Sequence, residues 1–318
     1  MSGAVDAGRA RAAPGATRDV RIGVACLLFA AIGWGLNWPI IKLLLRDWPP
    51  LFSRGTAGLF AAAALFGYAA LRADAFVPPK GSRARLVGLS FTNVFAFMGF
   101  SVIALLWLTP GEGALLVYTM PIWVTLLAWP FRGVRPGGRA AAALALCLVG
   151  TAVLFADSLT TFDAAKLPGV LFALAAAVLF ALGTVATSES VPMPPVALTA
   201  WQVLLGSAPM VALSFVFERP EIGRLGATGF FAWAYMATIP MGLCYLCWFA
   251  AVRRLSATTA ATGSLLVPVV GVLASAPILG VALGVKDFAA LVLVLAGVAL
   301  VIGRGQSPLP DDPAGETR

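Results

Sequence analysis

LTPGEGALLVYTMPIWVTLL (Leu108–Leu127) returns later in the chain as LSATTAATGSLLVPVVGVLA (Leu255–Ala274), with 147 positions between matched residues and no gap. Leu108 then meets Leu255, Thr109 meets Ser256 and Pro121 meets Pro268. Each copy is an apolar helix with proline near its middle. Proline there removes one backbone donor and frees the carbonyl four residues earlier, that of Val117 in the first copy and of Ser264 in the second. In a bilayer, freed backbone must face protein or a water-filled cavity. Two interrupted helices at matching places in two halves are the mark of a repeat-built membrane carrier with its site near the midplane.

Composition supports the membrane assignment. Of 318 residues, 60% are hydrophobic and 11% charged, where soluble domains have about half and about a quarter. Apolar runs of about 20 residues cross the hydrocarbon. Ten are expected, at 22–44, 51–71, 86–108, 112–131, 139–156, 168–188, 195–217, 227–252, 256–281 and 287–303. The fold class expected is therefore all-α integral membrane protein, with ten transmembrane helices. Short connections leave no room for a soluble domain.

The 22 basic residues outnumber the 14 acidic ones, and their placement follows topology rather than nucleic-acid binding. Fifteen fall on one side of the alternating loops, including Arg9, Arg11, Arg18, Arg21, Arg83, Arg85, Arg253 and Arg254. Six fall on the other: Lys42, Arg46, Lys166, Arg219, Arg224 and Lys286. By the positive-inside rule both termini are cytoplasmic. The first apolar run is too long for a signal peptide and lacks a cleavage site, so it reads as a retained span. The tails, 1–21 and 304–318, are expected to be cytoplasmic.

Repetition extends beyond the opening stretch. Ala30–Pro39 aligns with Ala176–Val185, so Trp34 meets Phe180; span 2 aligns with span 7, so Arg54 meets Gln202 and Gly58 meets Gly206. Two five-span halves follow, 22–157 and 168–303. Five is odd, so the halves insert in opposite directions as an inverted repeat.

PPLFSRGTAGLF, CWFAAVRRLSATTAATGSLLVPVVGVLA and the closing ALVLVLAGVALVIG resemble the EamA repeat of the drug/metabolite transporter superfamily. The likeness is nearest to the ten-span amino-acid exporters of the YddG type. It implies an inner-membrane carrier with a central cavity between its halves and aromatic side chains around it. The Gly-Glu pair that members often carry at the ends of spans 4 and 9 is replaced here by Gly133-Val134 and Gly280-Val281. A coupling role for that glutamate therefore does not transfer.

Enzyme chemistry fails on inventory. The chain has no histidine, and no carboxylate lies mid-span; Glu112 and Glu189 sit at span ends. Nucleophilic catalysis needs a nucleophile with a base. No metal or cofactor is expected, because Cys244-x-x-Cys247 has no second pair to complete a metal site.

The spans instead hold neutral polar and aromatic groups. Asn37, Asn93, Tyr118, Gln202 and Tyr245 either line a cavity or hydrogen-bond a neighbouring helix. Trp34, Trp38, Phe97, Met98, Met120, Phe180, Trp201 and Trp248 lie deep enough to wall a pocket, alongside Val117, Pro121, Ser264 and Pro268 of the interrupted helices. Arg54, near the start of span 2, either snorkels to the outer interface, pairs with Asp47, or anchors a substrate carboxylate at the outer mouth. Gly33, Gly35, Gly55, Gly58, Gly99, Gly280 and Gly284 are expected to permit close helix contact.

The reading is a monomeric secondary carrier, without nucleic-acid partners, that exports small amphiphilic metabolites, with amino acids, including aromatic ones, as the leading class. A multidrug or cation pump is the alternative, opposed by the lack of a mid-span carboxylate. A channel would show a polar stripe or charged ring, and no span does.

Overall fold

The computed structural model describes residues 14–72, 75–133, 138–154, 164–186, 191–255, 263 and 266–302. The described residues form helices and connections, with no strand among them. We number the helices in chain order: α1 Pro14–Leu44, α2 Pro50–Leu71, α3 Lys80–Ala104, α4 Pro110–Phe131 and α5 Gly138–Leu154. The remainder are α6 Ala164–Val185, α7 Pro195–Phe217, α8 Ala227–Ala251, α9 Leu266–Leu279 and α10 Val285–Ile302. Seven of these, α1–α4 and α6–α8, are long and apolar enough to cross a membrane. The expected count of ten is thus met by seven among the described residues. Helices α5, α9 and α10 are shorter, at 17, 14 and 18 residues.

Local chemistry fixes the helix starts. Pro50, Pro110 and Pro195 each open a helix, where proline's missing donor costs nothing and its fixed φ is already helical. Thr109 adds a capping box. Its side chain accepts from the Glu112 amide at 3.2 Å, and Glu112 accepts from the Thr109 amide at 2.8 Å, so two orphan donors are satisfied reciprocally. The start of α2, which has no side-chain cap of its own, is capped from another helix. Glu218, directly after α7, accepts from the Leu51 and Phe52 amides at 2.9 and 3.0 Å. Burial pushes the Glu218 carboxyl above its ordinary range, and those two amides oppose the shift. Replacing Glu218 with Ala is expected to cost about 1 kcal/mol, the usual worth of an N-cap, read as a lower midpoint in thermal unfolding of the detergent-solubilised protein.

Between helices, contacts are exchanged across the halves. α1 packs on α8 and α9, while its repeat mate α6 packs on α3 and α4. α2 packs on its own mate α7, and α5 on α10. At the last interface Cys147 lies against the carbonyl of Val294, its partner at the repeat offset, at 3.6 Å.

Glycines set the closest approaches. A Cβ on Gly35 would lie 2.5 Å from Val270 Cβ and 2.9 Å from the Val267 carbonyl, and one on Gly206 would lie 2.5 Å from Val94 Cβ. Gly33, Gly55 and Gly58 are also tight, a Cβ there lying within 2.7 Å of Cys244, Val211 and Ser207 respectively, whereas Gly99 makes ordinary contacts. Gly280 and Gly284 differ from expectation. Gly280 ends α9 at φ 71°, a left-handed C-cap that glycine adopts without strain. Gly284 lies in the connection before α10. Neither packs a helix.

Candidate functional site

Residues on α1, α2, α3, α4, α6, α8 and α9, together with Leu105 just past α3, enclose a cavity of about 370 Å³, at the lower end of the ~300–1,000 Å³ usual for small-molecule sites. Its walls include Trp34, Asn37, Trp38, Arg54, Phe97, Met98, Tyr118, Met120, Phe180 and Tyr245. Every one of these was singled out from the sequence.

The aromatic side chains form two groups. Trp34 meets Tyr245 edge-on at 5.6 Å and Trp248 at 5.7 Å between ring centroids. Phe97 meets Phe180 at 4.7 Å. The first group joins α1 to α8 and the second joins α3 to α6, so repeat mates Trp34 and Phe180 occupy equivalent places in separate groups. Trp34 is held by its indole N–H, which donates to the Pro240 carbonyl at 2.9 Å. The Tyr235 hydroxyl donates to the Gly33 carbonyl at 2.9 Å, one turn-neighbour away.

α3 and α8 both carry a π-helical segment, Phe91–Phe100 and Ile239–Leu243. The two fall at matching places in the repeat. Such segments place an extra residue in the turn and recur at functional sites. Here they present Phe97, Met98, Pro240 and Met241 to the cavity. Trp248, a deep aromatic of the sequence-derived set, also lines it, whereas Trp201 does not; Ile41, Ser101, Val102, Leu105, Pro240, Met241 and Val267 line it without having been included in that set. Pro240 was the one legible signal, since proline breaks the regular ladder.

Several expected residues lie elsewhere. Asn93 and Gln202 hydrogen-bond each other at 3.3 Å between α3 and α7 and are not in the cavity wall. Each satisfies the other, as interhelical polar pairs do. Val117 is fully buried, and neither it nor Pro121 nor Pro268 reaches the wall. The interruption of α4 falls at Tyr118–Thr119, with Pro121 in the first turn of the resumed helix. The Thr119 hydroxyl and amide both turn back to the Leu116 carbonyl, at 2.6 and 3.2 Å. The break therefore delivers the Tyr118 and Met120 side chains rather than a bare Val117 carbonyl. Ser264 lies outside the described residues.

Arg54 also departs from expectation. It neither snorkels outward nor pairs with Asp47. Asp47 accepts from the Gly226 amide at 3.0 Å, and Arg54 is 8% exposed. The reason is that all of Pro50–Gly55 is buried, which leaves no open sector toward an interface. The guanidinium turns inward to the cavity, within electrostatic range of the Tyr245 and Tyr118 phenols. Its Nε and Nη1 are buried without a hydrogen-bond partner among the described residues, and so is Asn37 Oδ1. No acid is among the lining residues, and no cluster of metal-ligating side chains occurs among the described residues.

Comparison with known proteins gives this arrangement a family. The model of the EamA-like transporter family matches twice, over residues 21–156 and 167–303. A probable amino-acid metabolite efflux pump of Escherichia coli (strain K12) is 29% identical over 87% of this chain and 93% of its own length. A protein of the same description from Salmonella typhimurium is 29% identical over 85% and 91%. The uncharacterized transporter YoaV of Bacillus subtilis is 22% identical over 74% and 81%. A protein crystal structure superposes with TM-score 0.61 at 22% identity, covering 90% of this chain and 97% of the other, which speaks to fold. The chain is a multi-pass membrane protein and belongs to the EamA-like transporter family.

Proposed function

We propose that the chain is a secondary carrier of the cell inner membrane, exporting small amphiphilic metabolites of the amino-acid class, aromatic ones included. Ten spans form two inverted halves, 22–157 and 168–303, which alternate access to the cavity between them, with both termini cytoplasmic. The observation that carries the reading is the cavity itself. Two aromatic groups wall it, each drawn from both halves, Trp34 with Tyr245 and Trp248 in one and Phe97 with Phe180 in the other. Flat apolar walls with few polar groups are the usual makeup of a small-molecule site. The exchanged packing of α1 and α6 supports the inverted arrangement, and the E. coli and Salmonella relatives described as amino-acid metabolite efflux pumps support the cargo class. The cation-pump alternative is opposed by Arg54, whose charge in the wall repels a permanent cation.

The test is a cargo panel in proteoliposomes comparing amino acids with quaternary cations, on the wild type and on Trp34→Ala and Phe180→Ala. Each truncation is expected to raise the half-saturation concentration for phenylalanine about tenfold, as loss of a buried aromatic contact does, and for alanine about twofold. Equal losses for both would remove the rings from the contact surface. Preferential uptake of quaternary cations would establish the rival. With no acid among the cavity-lining residues, movement needs no obligatory proton, so counterflow is expected to proceed without a pH gradient.

A further inference from the structure

We propose that the cargo binds as a net monoanion, its carboxylate on Arg54 and a single N–H or O–H donor on Asn37 Oδ1, rather than as a zwitterion. The inference rests on the cavity being the cargo site and names the ionic form that the site takes. Its first support is the state of Arg54. The side chain is more than nine-tenths buried, lines the cavity, and keeps Nε and Nη1 without partners among the described residues.

An uncompensated buried charge costs several kcal/mol even after relaxation, so the neutralising group has to come from somewhere. The wall does not supply it. Tyr118 and Tyr245, the groups within electrostatic range of the guanidinium, are phenols and carry no charge near neutral pH. Among the described residues the carboxylates at that end of the helices are engaged: Asp47 with the Gly226 amide, Glu218 with the start of α2, Glu112 with Lys166 and Thr109, Glu221 with Arg224, and Asp287 with the Gly284 amide. Gln202, the repeat mate of Arg54, does not balance it either, because it bonds Asn93 away from the cavity.

A cargo carboxylate meets this need directly. Its two oxygens match the guanidinium fork, and paired charge-assisted bonds are about twice as strong as neutral ones. An α-ammonium does not fit as well. It brings three donors and a second positive charge, and the fully buried side-chain acceptor left without a partner among the lining residues is Asn37 Oδ1. A zwitterion therefore leaves the site with a net charge of +1, the charge of Arg54 itself. An amide N–H, as in an N-acylated amino acid, carries one donor for one acceptor and leaves the site neutral. The chemical class is an amphiphilic monocarboxylate whose amino group is acylated or absent, with an apolar or aromatic body lying on the Trp34 and Phe180 sides.

Three compounds with the same aromatic body decide it: N-acetyl-L-phenylalanine (net −1), L-phenylalanine (net 0) and L-phenylalanine amide (net +1). Transport in proteoliposomes and ligand-induced thermal stabilisation of the full-length protein in detergent are measured for each. The expected result is a half-saturation concentration for the N-acetyl compound at least about tenfold below that of phenylalanine, with no saturable binding of the amide. In Arg54→Gln that ratio falls to near one, while Arg54→Lys keeps part of it as a point charge. Without ligand, Arg54→Gln melts at or above the wild type, because a buried charge has gone; a purely structural arginine would lower the midpoint.

Phenylalanine binding as well as or better than its N-acetyl form, with Trp34→Ala still weakening it, would overturn the proposal and leave the cavity reading standing. Binding of none of the three, with no effect of Trp34→Ala or Phe180→Ala on any transported compound, would remove both. Should Arg54→Gln fail to fold, the wild-type ratio decides alone.

Discussion

Gly35→Leu is expected to abolish recovery of folded protein, while Gly67→Leu leaves yield and melting unchanged or slightly improved. Both glycines lie inside long apolar helices, α1 and α2, so propensity favours leucine at each by roughly 0.5–1 kcal/mol. Packing separates them. At Gly35 even a Cβ would stand 2.5 Å from Val270 Cβ and 2.9 Å from the Val267 carbonyl oxygen. The second obstacle is backbone of α9, which moves only if the whole helix moves. Overpacking a core by a methylene or two costs about 1–3 kcal/mol, and leucine adds four carbons at a site already below contact distance. The loss thus reaches the ~5–15 kcal/mol that holds a typical domain together. At Gly67 nothing lies within 4 Å and the position is exposed. Size-exclusion profiles and thermal unfolding in detergent make the comparison. A monodisperse Gly35→Leu protein with a midpoint near wild type would show that α1 and α9 do not meet at this spacing.

The second large effect concerns the ion pair between the start of α4 and the start of α6. Lys166 Nζ lies 2.6 Å from Glu112 Oε1, with side-chain exposures of 30% and 8%. Breaking a buried pair from one side costs about 3–5 kcal/mol because the remaining charge is left uncompensated. The two ends of this pair are unequal. Lys166→Met leaves Glu112 buried and charged, so about 2–3 kcal/mol is expected to be lost, the smaller figure reflecting water near the lysine. Glu112→Gln removes the charge but keeps an acceptor for the Thr109 amide, since glutamine serves in a capping box, and Lys166 is already 30% exposed. Its cost is expected to be nearer ~1 kcal/mol. The double variant should recover most of the Lys166→Met loss, giving a coupling of at least about 1.5 kcal/mol in a double-mutant cycle from chemical unfolding. A coupling under about 0.5 kcal/mol would place the pair with ordinary surface bridges. Lys42 holds the same region from α1. Its ammonium donates to the carbonyls of Leu105 and of Leu108, the latter at 3.2 Å, at a helix C-terminus where a cation is favoured.

Much of this molecule is written locally in its sequence. Apolar run lengths mark the membrane helices, Pro50, Pro110 and Pro195 mark their starts, and the offset of 147 between Pro121 and Pro268 reveals the duplication. The family model matches each half in turn. The aromatic residues deep in α1, α3, α6 and α8 were legible as a set because depth along a span is a matter of counting residues. These features follow from chain length and the missing donor of proline, which act within a turn or two.

What the tertiary structure alone decided is the direction in which each helix faces. Neighbouring residues point about 100° apart around a helix, so a rotation of one residue exchanges cavity for neighbour. Asn93 and Gln202 met each other, Asn37 met the cavity, and sequence held no term to separate them. Arg54 looked like an interfacial cation because it is one turn from a helix end, yet Glu218 and the α7 interface close over that end and turn the charge inward. The π-helical segments of α3 and α8 likewise depend on what packs against them. Rotation and local unwinding are settled by contacts between helices far apart in the chain, Gly35 on Val270 and Gly206 on Val94, and that information exists only once the helices are assembled.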